Sequence, residues 1–128
     1  MSKLLRSGEG ALPKNKLAVL VVEDVPQARA TAVSIMEDLG CTVFDAYNGQ
    51  QALEILEAHP EICVLFTDVR MPGLNGLELA AAARRRRPDL RIVFTSGYVG
   101  PEDVPPDAPF VPKPWRVEAM AEAVRADA

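Results

Sequence analysis

From residue 17 onward, short apolar runs alternate with longer amphipathic segments, and no other feature of this 128-residue chain restricts its fold so strongly. Leu17–Val22 is apolar throughout, too short for a comfortable helix, and closed by Glu23-Asp24, so it reads as a buried strand. Pro26–Leu39 places Ala28, Ala32, Ile35, Met36 and Leu39 at helical spacing, with Pro26 suited to a first turn and Gly40 to a C-terminal stop. Thr42–Tyr47 reads as a second strand, and Asn48-Gly49 breaks the chain before a helix marked by Ala52, Leu53, Ile55 and Leu56. That helix ends near His59-Pro60. Ile62–Thr67 is a third strand, followed by Asp68 and a Pro- and Gly-containing loop, Met71–Gly76. Leu77–Arg87 is an Ala- and Arg-rich helix, Arg91–Thr95 a fourth strand, Phe110-Val111 part of a short fifth, and Arg116–Ala126 a closing helix. Strands separated by helices imply an α/β domain whose parallel strands are joined by right-handed crossovers, with helices on both faces.

Composition bounds the function. Hydrophobic residues make up 48% and charged residues 25%, as in an ordinary globular domain, and the net charge of −4 argues against a dedicated nucleic-acid binder. No stretch approaches the length of a membrane span, and the polar start of the chain lacks the apolar centre of a signal peptide. Residues 1–15 are expected to form a flexible lead-in and residues 16–128 one domain. Cys41 and Cys63 form no CxxC pair, and Cys63 sits in an apolar run, so a reduced, buried thiol and a cytoplasmic location are expected.

Parallel sheets present their functional groups at the carboxyl ends of the strands. Those ends carry Glu23 and Asp24, Asp68, Ser96 and Lys113. Singly, each has a plain alternative. Glu23 and Asp24 could serve the first turn of the following helix, Asp68 a loop, Ser96 a turn, and Lys113 the solvated surface. Together they make a coherent chemical set. Crowded carboxylates repel one another unless a hard cation joins them, and oxygen-only ligands suit Mg2+. Asp68 would then be a nucleophile toward phosphorus, with Lys113 neutralising charge and the Ser96 hydroxyl donating to the phosphoryl group.

VLVVED at Val19–Asp24, VLFTDVRMPGLNG at Val64–Gly76, FTSGY at Phe94–Tyr98 and FVPKPW at Phe110–Trp115 resemble the signature segments of response-regulator receiver domains. The resemblance implies a flavodoxin-like, doubly wound, five-stranded parallel sheet of strand order 2-1-3-4-5. It implies that Asp68 is the phosphoacceptor and that Glu23, Asp24, Asp68 and the backbone carbonyl of Arg70 hold Mg2+. Ser96 takes the switch-hydroxyl position, Phe110 the aromatic switch position, and Lys113 that of a lysine whose bond to Pro114 is cis. Implied partners are a sensor histidine kinase or histidine phosphotransfer protein and an unidentified downstream protein, with neither nucleic acid nor membrane. The chain would be a switch or phosphorelay intermediate rather than an enzyme, with only self-catalysed phosphoryl transfer and slow dephosphorylation. It is expected to work without a DNA-binding output segment.

Gly97–Pro112 is short and contains Pro101, Pro105, Pro106, Pro109 and Pro112, a density that disfavours a regular helix. FTSGY also resembles a Phe-Ala-Thr-Gly-Tyr-type motif of single-domain receivers, with Thr95 in place of Ala and Ser96 in place of Thr. A missing or shortened fourth helix, replaced by a Pro-rich loop over Tyr98–Ala108, is therefore expected, and phosphate could order that loop. Two other classes share the architecture. A flavodoxin-like cofactor binder would want a phosphate loop where Glu23-Asp24-Val25-Pro26 stands, and an aspartyl phosphatase would want an acid where Arg70 stands. Of the remaining features, Arg84–Arg87 reads as a solvated helix end, His59 as a surface residue, and Trp115 as packing at the start of the last helix.

Overall fold

The computed structural model describes residues 17–97 and 104–125. Five strands, β1 (Ala18–Val22), β2 (Thr42–Ala46), β3 (Val64–Asp68), β4 (Arg91–Ser96) and β5 (Phe110–Pro112), form one parallel sheet in the order β2-β1-β3-β4-β5. Among the described residues, four helices connect and close it: α1 (Pro26–Asp38), α2 (Gly49–Ala58), α3 (Gly76–Arg86) and α4 (Val117–Arg125). This is the flavodoxin-like arrangement implied by the sequence. None of the helices among the described residues is long and apolar enough to cross a membrane.

The continuous apolar runs are sorted by the alternation of a strand into two cores. Ala18, Leu20 and Val22 face one core with Leu65, Ile92 and Phe94, under Ala52 and Leu56 of α2 and Leu79 and Ala83 of α3. Val19 and Val21 face the other with Val64, Phe66, Val93 and Val111, under Ala32 and Met36 of α1 and Met120 and Val124 of α4. Each fully buried aliphatic side chain stabilises the fold by about 2 kcal/mol, so burial on both faces explains why these strands carry no polar alternation.

Local signals set the helix ends. Gly40 follows the end of α1 at a φ of 93°, where a side chain would be strained. Asn48 opens α2 by accepting from Gln51 N at 2.8 Å. Asn75 opens α3 with a capping box: its Oδ1 accepts from Glu78 N at 2.8 Å, and Glu78 Oε1 accepts from Asn75 N at 3.0 Å. Gly76 then packs so closely that an added Cβ would lie 2.0 Å from the backbone oxygen of Asp68, so no other residue fits there without displacing that strand end.

Several expectations are corrected. A missing or shortened fourth helix with a Pro-rich loop in its place is not supported: the fourth helix in chain order is Val117–Arg125, a proline-free amphipathic segment with Met120 and Val124 buried. It occupies the segment assigned to the closing helix. Between β4 and β5, Val104–Pro109 carries turns and bends, while residues 98–103 lie outside the described residues, as do the lead-in 1–15 and residue 126. Cys63 is exposed rather than buried, because β3 starts at Val64, two residues later than expected; its thiol points to the Ala18 carbonyl at 3.6 Å. Cys41 is the buried one.

Candidate functional site

In this strand order the chain leaves β1 toward one side for β2 and then crosses back to β3, so the carboxyl ends of β1 and β3 flank the switch point of the sheet. There the structure brings together Glu23, Asp24 and Asp68, each offering a carboxylate oxygen within 4.8 Å of the others. Glu23 and Asp68 are buried, and Asp24 is half-buried. The simple capping reading of the acidic pair fails, since the N-cap of α1 is Val25 and no side chain caps it. Instead Glu23 Oε2 accepts from Val25 N at 3.1 Å, and its other oxygen faces the site.

Lys113 reaches across from the end of β5. Its Nζ donates to Glu23 Oε1 at 2.8 Å and to Asp68 Oδ2 at 2.9 Å, so one ammonium joins two of the acids. The Lys113–Pro114 bond is cis, as the sequence implied. Asp68 Oδ1 accepts from Arg70 N at 3.3 Å, which brings the main chain of Arg70 to the site while its side chain is exposed. Ser96 ends β4, buried, and its carbonyl accepts from Lys113 N at 3.2 Å. Phe110 opens β5, paired in register with Phe94 and half-buried against the first core.

Burial pushes the Glu23 carboxyl above the usual glutamate range, and the nearby Asp68 carboxylate adds to this; the bonds from Lys113 and Val25 N only partly offset it. Burial also works against the Lys113 charge, but its bonds to Glu23 and Asp68 outweigh that and hold the amine above the ordinary lysine value. Three carboxylates against one ammonium leave a formal charge of −2 (−3 + 1). Oxygen-only donors with that residual charge match a small hard divalent cation such as Mg2+.

A family model for the response regulator receiver domain matches residues 19–125. The chain belongs to the receiver-domain family. The sensor kinase CckA of Brucella abortus (strain 2308) is 35% identical over 113 residues, which are 84% of this chain and 12% of that protein. The response regulator receiver protein CpdR of the same organism is 33% identical over 111 residues, 83% of this chain and 92% of that protein. Against these two relatives the receiver therefore spans a small part of one and nearly all of the other. Among solved structures, the receiver domain of the hybrid histidine kinase CckA aligns with a TM-score of 0.73 at 33% identity, covering 85% of this chain and 96% of that one.

Three residues at the receiver's site escaped the sequence reading in these roles. Arg29 donates from Nη1 to the Glu23 carbonyl at 3.0 Å and pairs its Nε with Asp45 at 3.3 Å, tying the ends of β1 and β2 to α1. Thr95 Oγ1 donates to the Val111 carbonyl at 2.6 Å and accepts from Trp115 Nε1 at 2.7 Å. No sequence spacing announces either arrangement, because each joins segments that only the sheet order makes neighbours.

Proposed function

We propose that this receiver accepts a phosphoryl group from a phosphohistidine onto Asp68, and that the resulting acyl phosphate is a signal. The donor is a sensor histidine kinase or a histidine phosphotransfer protein, and the output passes in the cytoplasm to a protein partner, without nucleic acid or membrane. The observation that carries this reading is the Lys113 ammonium held 2.9 Å from Asp68 Oδ2 beside two further acids. A carboxylate paired in this way has a cation at hand to neutralise an incoming phosphoryl group, and phosphoryl transfer asks little more of a protein than position and charge neutralisation.

In the step itself an Asp68 oxygen bonds to phosphorus, the phosphorus–nitrogen bond to the donor histidine breaks, and the released imidazole keeps the electron pair and takes a proton. Lys113 neutralises charge gathering on the phosphoryl oxygens, and the Ser96 hydroxyl donates to one of them. Glu23, Asp24, Asp68 and the Arg70 carbonyl are the residues that would hold Mg2+, which when bound supplies further neutralisation of the phosphoryl charge. Phe110, at the start of β5 and two register positions before the partner of Ser96, is the side chain assigned to respond when the hydroxyl engages phosphate. The chain performs no other catalysis in this account, and the acyl phosphate is lost slowly to water.

Incubation with Mg2+ and radiolabelled acetyl phosphate tests the assignment. Wild type takes up acid-stable, base-labile label, and Asp68→Asn takes up none. Equal labelling of the two proteins moves the acceptor elsewhere.

A further inference from the structure

Lys113 is itself tied to β4 through its main-chain N–H, which donates to the Ser96 carbonyl at 3.2 Å. It follows a three-residue edge strand and stands between Pro112 and Pro114, neither of which has an N–H to donate. Yet its Nζ holds two acids at once. The chain on both sides of it is tied to one place, by a carbonyl before it and a side chain after it. The buried Thr95 hydroxyl donates to the carbonyl of Val111, before the lysine, and accepts from the indole of Trp115, after it. A hydroxyl has one proton to give and lone pairs to receive, and here it uses both kinds. The clasp is level with the acceptor, because Thr95 on β4 is the register partner of Asp68 on β3. Trp115 is fixed further by an edge-on contact with Phe66, ring centroids 5.8 Å apart, and its ring lies 5.5 Å from Lys113 Nζ.

We propose that Thr95 and Trp115 are positioning residues for Lys113: the hydroxyl–indole clasp fixes the segment carrying the lysine, so that its amine is delivered to Asp68. Neither residue touches the reacting atoms. Their chemistry is complementary, since a residue without a hydroxyl at 95 would leave the indole N–H without this acceptor, and a Phe at 115 would leave the hydroxyl without this donor. The inference rests on the role given to Lys113 above and adds a determinant of rate that lies behind it.

The experiment uses the full chain as Thr95→Val, Thr95→Ser and Trp115→Phe, plus the Thr95→Val/Trp115→Phe double variant. Phosphorylation by acetyl phosphate with Mg2+ is followed as rate against donor concentration, and the chemical shift of the Lys113 ζ-nitrogen is read by NMR without donor. Loss of the clasp is expected to lower the limiting rate roughly ten- to a hundredfold, with donor affinity little changed. The double variant is expected to fall no further than either single one, because both changes remove one interaction. Thr95→Ser keeps the wild-type rate and amine shift, and Thr95→Val moves the shift. A Thr95→Val protein labelled at the wild-type rate overturns the inference, as does additive loss in the double variant. Should Thr95→Val not fold, Trp115→Phe against Thr95→Ser decides the matter in the same way. A wild-type chain that takes no label sinks the receiver chemistry instead, while the amine shift still reports on the clasp.

Discussion

Glu23 is nearly inaccessible to solvent, and its carboxyl titrates above the usual glutamate range chiefly because burial disfavours its charge. In the folded chain it therefore keeps a proton at pH values where the unfolded chain has released it. Stability then falls as pH rises through the window between the ordinary glutamate value and the raised one. Other acids contribute slopes of opposite sign, so the measurable quantity is a difference. Thermal melts of wild type and Glu23→Gln, without divalent ions, should diverge from mildly acid toward neutral pH, with the glutamine variant gaining relative stability. Parallel curves would mean that Glu23 is not strained by its burial. Added Mg2+ should reverse the ranking, because a divalent ion favours the ionised acid that Gln cannot supply, and its affinity should weaken on acidification sooner than for an ordinary carboxylate. Lys113 acts at the other end of the scale. Its amine titrates above the ordinary lysine value, so its contribution is complete below that value and is lost as pH rises through the folded one.

Among the elements, the junction of α2, α3 and β3 shows a charge used for architecture. The basic run closing α3 looked uniformly solvated in the sequence, and Arg84, Arg85 and Arg86 are indeed exposed. Arg87 turns inward. Its guanidinium donates to the carbonyls of Leu56 at 3.2 Å and Pro60 at 3.0 Å, and also to that of Ile62. These acceptors lie in the last turn of α2 and in the connection to β3, where a helix leaves carbonyls without intrahelical partners. One planar fork thereby fixes the approach to the strand that ends in Asp68. Replacing Arg87 by Ala is expected to cost about 2 kcal/mol, from acceptors left without a donor, and Arg85→Ala to stay within about 0.5 kcal/mol. Urea unfolding of both variants checks this; equal midpoints would return Arg87 to the solvated run.

Across the whole molecule the two cores share one five-stranded sheet, so neither can dissolve without exposing the back of the other. Trp115 is the sole tryptophan and packs against the second core, while the helices on both faces dominate the far-ultraviolet signal. Tryptophan fluorescence and circular dichroism should therefore report coincident transitions, and separated midpoints would show that the faces unfold independently. Much of this architecture was legible because a doubly buried strand must be a short apolar run, and five such runs in order admit few sheets. The site was legible for a related reason: Glu23, Asp24, Asp68, Ser96 and Lys113 each follow or end a run, and parallel strands align their carboxyl ends. What stayed hidden depends on distance rather than pattern. Whether Cys63 is inside turns on where β3 begins, the inward turn of Arg87 on where α2 ends, and the Thr95–Trp115 clasp on side chains from two separate segments. The expectation of a lost fourth helix came from the prolines of a single connection, and α4 lies beyond them. Gly76 joins these scales. With the backbone oxygen of Asp68 against its α-carbon, the contact between acceptor and α3 has no clearance. A shift of the aspartate's main chain toward the helix would meet Gly76 at once, so a displaced acceptor would have to push α3 along with it.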